Sequence, residues 1–300
     1  MGSQGSKPGA ACPACAGSTL RSLGTPRVVD AGGLRSQAVE VCRCLTCDLL
    51  FFAPVSQGQV LADHYAALAD ERWSSNTRPD WKLARQAILD RLSSGTVLDV
   101  GCWTGEFLAT LPPSFERCGV EPSEWARCQA IDKGVSVVGS AMEELVESDA
   151  TFEVVTMIDV VEHFASPLEA LVLGAGRLKE RGFLVISTGN SRALPWRLMP
   201  TDYWYYNAEH VCFVSERWFA WATAHADLQM DQVRHFSHYP ATWPGEPFAE
   251  LAKACVVRVL RMPRPLAVQR ALGARIEGRH VSTKHWSDHI LVVLQKRASG

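Results

Sequence analysis

From residue 96 onward the chain alternates short apolar runs with stretches of helical periodicity. Val97, Leu98 and Val100 form the first run, and Cys118-Gly119-Val120 the second. Phe152–Ile158, Gly182–Asn190 and Asp288–Leu294 come later. Runs that are apolar on successive residues predict strands covered on both faces, as in a parallel sheet. Between them Leu168–Leu178 predicts a helix. Earlier, within 73–92, Trp81, Ala84, Ile88 and Leu92 recur at helical spacing and offer one face to a sheet. This alternation predicts an α/β fold.

The first run leads into Gly101-Cys102-Trp103-Thr104-Gly105, a strand followed by a glycine turn into a helix. Glycine at 101 and 105 lets the chain adopt unusual dihedrals and brings a ligand against bare backbone. Glu121 follows the second run at the spacing that reaches a ribose. The turn lacks the dinucleotide glycine pattern, because Trp103 stands where a pyrophosphate needs backbone access, and no phosphate-loop Lys-Ser/Thr follows.

Together these segments resemble the class I S-adenosylmethionine (SAM) methyltransferases. The resemblance implies a Rossmann-like fold with a seven-stranded, mostly parallel sheet and a final antiparallel strand near the C-terminus. It implies SAM contacts from Asp99, Gly101, Cys102, Gly105 and Glu121, with Ala141 and Met142 near the adenine and Asp159 at the end of the fourth strand. Tyr65, ahead of the domain, takes the place of an aromatic covering the methionine part of SAM. Small residues are usual at the position of Trp103, so its indole either lines the pocket or turns away.

Cysteine is abundant, with ten residues, and four of these form two Cys-x-x-Cys pairs, Cys12/Cys15 and Cys44/Cys47. Four thiolates in this arrangement close a tetrahedral zinc site and leave no open position for chemistry, so the zinc is structural. Val28-Val29 and Ala38–Val41 supply short strands around an Asp30–Gly33 turn. A segment this small has too little core to be stable without metal. Cys42 points to the opposite face and is left out. The second pair, continued by Asp48-Leu49-Leu50-Phe51, resembles the zinc ribbon preceding some bacterial SAM methyltransferases that modify sugars, glycans or secondary metabolites. Asp48 stands where that family has glycine, and tolerates left-handed dihedrals comparatively well.

The chemistry after SAM binding needs an acceptor site. His163 follows the fourth strand, and His210 lies in the aromatic stretch Tyr203–Phe213 after the fifth; both are candidate bases, His210 first. The clustered Tyr and Trp suit stacking on a sugar or aromatic acceptor in a lid, or form an aromatic cover. Ser215 is placed to cap the helix after it. Lys253–His285 carries eight Lys/Arg against Glu277 alone, a patch for a phosphate-bearing acceptor or a solvated face.

The expected organisation is a disordered start at 1–10, a zinc ribbon at 11–56, and a linker with a first helix at 57–95. A SAM-binding domain occupies 96–300, with lid segments 190–225 and 237–285. Hydrophobic residues at 47% allow a sizeable core, and a net charge of −2 argues against nucleic acid as a partner. With neither a secretory signal nor a transmembrane run, a cytoplasmic location is expected. The partners are then a small-molecule acceptor, phosphate-bearing or glycan-like, and for a homo-oligomer a second copy. The function expected is methyl transfer to oxygen. The alternatives are a non-catalytic SAM-binding scaffold and, behind it, a nicotinamide-dependent oxidoreductase.

Overall fold

The computed structural model of the chain describes residues 11–26, 38–55, 58–69, 78–239, 241–261 and 285–297. The start at 1–10, the Val28-Val29 strand with its Asp30–Gly33 turn, Trp73, and most of the basic segment lie outside them.

The strands are β1 (Leu20–Gly24), β2 (Glu40–Cys44), β3 (Leu50–Ala53), β4 (Gly95–Val100), β5 (Phe115–Val120), β6 (Ser136–Gly139), β7 (Phe152–Ile158), β8 (Leu178–Gly189), β9 (Cys212–Phe213), β10 (Leu228–Phe236) and β11 (His289–Lys296). The helices are α1 (Gly58–Ala66), α2 (Pro79–Leu89), α3 (Glu106–Ala109), α4 (Glu124–Asp132), α5 (Pro167–Gly176), α6 (Leu194–Leu198), α7 (Glu216–Ala222) and α8 (Glu246–Arg261).

Seven strands form one sheet in the order β10-β11-β8-β7-β4-β5-β6. The pairs from β8 through β7, β4 and β5 to β6 are parallel, and β11 runs antiparallel between β8 and β10. This is the Rossmann-like, mostly parallel architecture anticipated from the motifs. Both faces are covered, which is why the strands read as continuous apolar runs. Val97, Val154, Val185, Leu291 and Val293 pack with Ala84, Ala87 and Ile88 of α2 on one face. Leu98, Val155, Ile186 and Val292 pack with Leu171 of α5 and Trp218 and Phe219 of α7 on the other.

Within the described part of the periodic segment the helix starts at Pro79, because a proline at the first turn starts a helix cleanly and Arg78 before it stays extended (ψ 129°). Tyr65 lies on α1, a helix the sequence pattern did not announce.

The cysteine-rich segment is built on a hairpin of β1 and β2, with β3 antiparallel to β2. Its sheet takes its fourth strand from residues 212–213, Leu50 pairing with Phe213 and Phe51 with Cys212. Asp48, with φ at 69°, turns the chain between β2 and β3 and anchors it to the larger sheet's loops. Its carboxylate accepts from Arg192 Nε at 2.9 Å and from Ser215 Oγ at 2.7 Å, and Arg43 Nη1 lies at 3.4 Å. Ser215 also caps α7 by accepting from Trp218 N at 3.2 Å.

Candidate active site

Ligands of open α/β sheets collect beyond the carboxyl ends of the strands, and the predicted cofactor residues meet there. After β4 the chain turns through Gly101 (φ 70°), Trp103 (φ 48°) and Gly105 (φ 75°). A Cβ on Gly101 would sit 2.8 Å from Val160 Cγ2, so glycine is demanded both by conformation and by space. The N–H groups of Gly101 and Cys102 bond to Val120 O at 2.8 and 3.1 Å, which pins the turn beside the end of β5.

Glu121 stands there, 4% exposed. Its Oε2 accepts from Trp103 N at 2.9 Å and its Oε1 from Ser123 N at 2.8 Å. Burial raises its pKa while those two N–H groups oppose the rise. Each oxygen keeps a lone pair beyond the backbone bond, the capacity needed for two ribose hydroxyls. Asp99 lies deeper and accepts from Thr156 Oγ1 at 2.6 Å. Burial pushes its carboxyl up to about 7.

Other predicted contacts move. The Cys102 thiol turns away from the turn and into the core: a Cβ on Gly119 would come within 2.4 Å of its Sγ. Met142 is buried at 3%, its terminal methyl toward Gly174 of α5, so its side chain serves the core and Ala141 is the more open of the pair. Trp103 packs against Trp125 with ring centroids 5.7 Å apart. Among the described residues its buried Nε1 has no hydrogen-bond partner.

Asp159 (φ 52°) is not a free carboxylate. It forms an ion pair with Arg78, and His238 Nε2 lies at 3.7 Å. Arg78 also reaches Asp80 from Nε at 3.2 Å, and His238 Nδ1 is 3.8 Å from Asp80. Burial opposes ionisation of Asp159, but Arg78 and His238 outweigh it and hold the carboxyl far below its usual range. Burial lowers the pKa of His238 and the two aspartates more than restore it, for a net rise. Sequence reading missed Arg78, Asp80 and His238, because the neighbouring Arg78 and Asp80 lie far along the chain from Asp159 and His238 and none of the three sits in a motif.

Tyr65 and the two predicted bases do come together. The Tyr65 hydroxyl is 2.7 Å from His163 Nδ1, and the rings of His163 and His210 are 4.8 Å apart. His210, however, has both ring nitrogens engaged: Nδ1 with the Tyr205 carbonyl at 2.8 Å and Nε2 with Asn207 Nδ2 at 3.3 Å. Burial, then the neighbouring His163, lowers its pKa well below the usual histidine value. It braces the loop. Glu162 is buried alongside, accepting from Thr188 Oγ1 at 2.8 Å and from the Tyr205 hydroxyl.

The aromatic stretch is a core instead of an open stacking platform. Tyr203, Tyr205 and Tyr206 are buried with Trp196, Phe52 and Phe213, joining the small sheet to the large one. Trp204 is the partly exposed member.

The four cysteines expected to bind metal also converge. Cys12 and Cys47 Sγ are 3.5 Å apart, as are Cys15 and Cys44, and all four sulfurs lie within 4.8 Å of one another. Cys42 is outside this group.

A family model described as a methyltransferase domain matches residues 73–233, just over half of the 300 residues. The chain belongs to the methyltransferase domain family. Among curated relatives, this chain is 30% identical over 151 residues to the "Ubiquinone biosynthesis O-methyltransferase" of Xanthomonas campestris pv. campestris, strain B100. That match covers 44% of this chain and 62% of the relative. A mitochondrial protein of the same name from Candida albicans is 33% identical over 129 residues, covering 39% of each chain. The matched region thus spans less than two thirds of these relatives. Among solved structures, the methyltransferase fold matches a chain from the complex of the Haloferax volcanii Trm112 methyltransferase activator with a methyltransferase. The TM-score is 0.50 with 16% identity, covering 74% of this chain and 91% of that one. No helix among the described residues is long and apolar enough to cross a membrane.

Proposed function

We propose that this chain transfers a methyl group from SAM to an oxygen of a small molecule, a sugar, glycan or secondary metabolite. The observation that carries the reading is the Gly101–Gly105 turn lying against the Glu121 carboxylate at the ends of adjacent parallel strands, within a matched methyltransferase domain.

The residues present fit the cofactor. Glu121 has acceptor capacity left for the ribose hydroxyls, and the buried Nε1 of Trp103 offers an unused donor. Ala141, just after β6, is the residue we assign to the adenine. Asp99, tied to Thr156 across β4 and β7, stands below the turn. Tyr65, backed by His163, closes the side where α1 meets the cleft. SAM supplies an activated methyl whose leaving group departs without protonation, so the protein's work is alignment of the acceptor and handling of its proton. Asp159, at the end of β7, is held by Arg78 and His238, and we assign it the ordering of those two side chains beside the cofactor site.

The four clustered cysteines support a structural zinc. Thiolates about 2.3 Å from a tetrahedral ion stand roughly 3.8 Å from each other, close to the spacing of the Cys12–Cys47 and Cys15–Cys44 pairs. Metal bound there would tie the Cys12–Cys15 turn to the Cys44–Cys47 turn and take no part in chemistry. A cytoplasmic location accords with cysteines that form no disulfide among the described residues.

Titration with SAM, followed by incubation with hydroxylated acceptors and detection of S-adenosylhomocysteine, tests the reading. Binding with turnover supports it. Binding without turnover across acceptor classes would favour a SAM-binding scaffold, and retention of NAD in place of SAM an oxidoreductase.

A further inference from the structure

Among the described residues eleven large apolar side chains are exposed, and four of them lie between 239 and 256. These are Tyr239, Trp243, Phe248 and Val256, each 45–64% exposed, and they include every aromatic of the eleven. Phe248, Ala252 and Val256 follow one another at steps of four along α8, all exposed, and so share one helix face. The opposite face is already committed. Ala254 is buried in the aromatic core, and Glu246 and Glu250 lie 3.7 and 3.8 Å from His285 Nε2. Both acids are thus turned away from the stripe. A contiguous exposed apolar patch marks an interaction surface, where single exposed side chains mark nothing.

Charge narrows what covers it. The described chain leaves α8 at Arg261 and resumes at His285, whose N–H donates to Glu250 Oε2 at 3.1 Å. The residues between therefore start and finish at the same helix. Lys253–His285 holds eight Lys/Arg against Glu277 alone, so the remainder of a chain of net charge −2 is acidic. A second copy would bring the same positive charge to the contact. An anionic bilayer complements it: Trp and Tyr favour the headgroup boundary, an apolar helix face settles there, and basic residues meet the lipid phosphates. With 16 residues, α8 falls short of the roughly 20 of a spanning helix and suits lying along the surface.

We propose that α8 docks this protein on an anionic membrane surface through the face carrying Trp243, Phe248 and Val256. Tyr239 borders that face, with its ring 6.4 Å from Trp204, and it follows His238, the partner of Asp159. The docked face thus adjoins the Arg78–Asp159 side of the cleft. Docking requires no methyl transfer, so it stands or falls separately from the function proposed above.

Vesicle flotation of the full chain tests it, with equimolar phosphatidylglycerol and phosphatidylcholine against phosphatidylcholine alone. Wild type should float with the mixed vesicles and bind the neutral ones at least about 10-fold more weakly. Binding should weaken as added salt shortens the screening length from about 10 Å to about 3 Å. Combining Trp243→Ser, Phe248→Ser and Val256→Ser should lower the partition coefficient about 100-fold or more. The melting temperature should hold, because all three side chains are exposed. Brominated acyl chains should quench wild-type fluorescence more than that of Trp243→Phe, a variant that keeps an aromatic ring; equal quenching contradicts the contact. Equal binding to both kinds of vesicle overturns the proposal, as does a folded triple variant within about threefold of wild type. A wild type that floats with neither overturns it too. If that protein then sediments as a dimer and the triple variant as a monomer, the face belongs to a second copy.

Discussion

Asp48→Ala should weaken the hold of the cysteine-rich sheet on the methyltransferase domain and lower stability. The carboxylate is 14% exposed and bonded to Arg192 and Ser215, with Arg43 beside it. A hydrogen bond to a charged group contributes about 1.5–3 kcal/mol, but Arg192 is 35% exposed, so solvent screening takes its share toward the low end. Arg43, at 13%, keeps its bonds to the Asp48 and Ser191 carbonyls yet loses its counter-charge. The left-handed backbone at φ 69° adds about 1 kcal/mol for alanine. The sum expected is about 3–5 kcal/mol, or roughly 10 °C in melting temperature at 2–4 °C per kcal/mol. Asp48→Gly relieves the backbone but not the charge, and Asp48→Asn retains the local conformation and an acceptor for Ser215. The three variants should therefore rank Asn, Gly, Ala from most to least stable by thermal melting. Burial opposes ionisation of Asp48, but its partners prevail and the folded-state pKa is lowered. Its stabilisation is thus complete above the unfolded value of about 3.9 and is lost as pH falls through the folded value. An alanine variant within about 1 kcal/mol of wild type at neutral pH would refute the reasoning.

Other outcomes are set by the same geometry. Gly101→Ala should lower both stability and SAM affinity, since its Cβ meets Val160 at 2.8 Å; the melting curve and a SAM titration check it. Cys47→Ser should lose the zinc that metal analysis finds in wild type, and melt earlier; metal-free wild-type protein would contradict the site. Asp99, with its folded-state pKa raised to about 7, makes stability decline as pH rises from about 4 to about 7 and level off above. Asp99→Asn should flatten that part of the pH–stability curve, and an unchanged slope would show that the carboxyl is not the titrating group.

Much of this arrangement is legible in sequence because it rests on local rules. The glycine turn, the carboxylate after the next strand and the paired cysteines each occupy one short segment whose residue types carry the chemistry. The strand runs are readable because burial on both faces makes them continuous. The features that escaped depend on tertiary neighbours. Cys102 carries a plausible side chain, but only the fold shows it lying over Gly119. The Tyr203–Phe213 stretch has the composition of a lid, and becomes a core because β9 pairs with β3. Arg78, Asp80, Asp159 and His238 join only when α2, β7 and β10 converge, and nothing in their spacing announces it. Trp103 stays distinctive: the indole packs on Trp125 while its donor has no partner among the described residues.

The central claim is that the turn at Gly101–Gly105 and Glu121 hold the nucleoside of SAM. Calorimetric titration of wild type and Glu121→Ala with SAM tests it most directly, with melting curves confirming that the variant is folded. Two hydrogen bonds to a charged group contribute about 3 kcal/mol or more, so the account predicts wild-type binding and a loss of about 100-fold or more in the folded variant. Equal SAM affinity in the two proteins, or none in either, would contradict it.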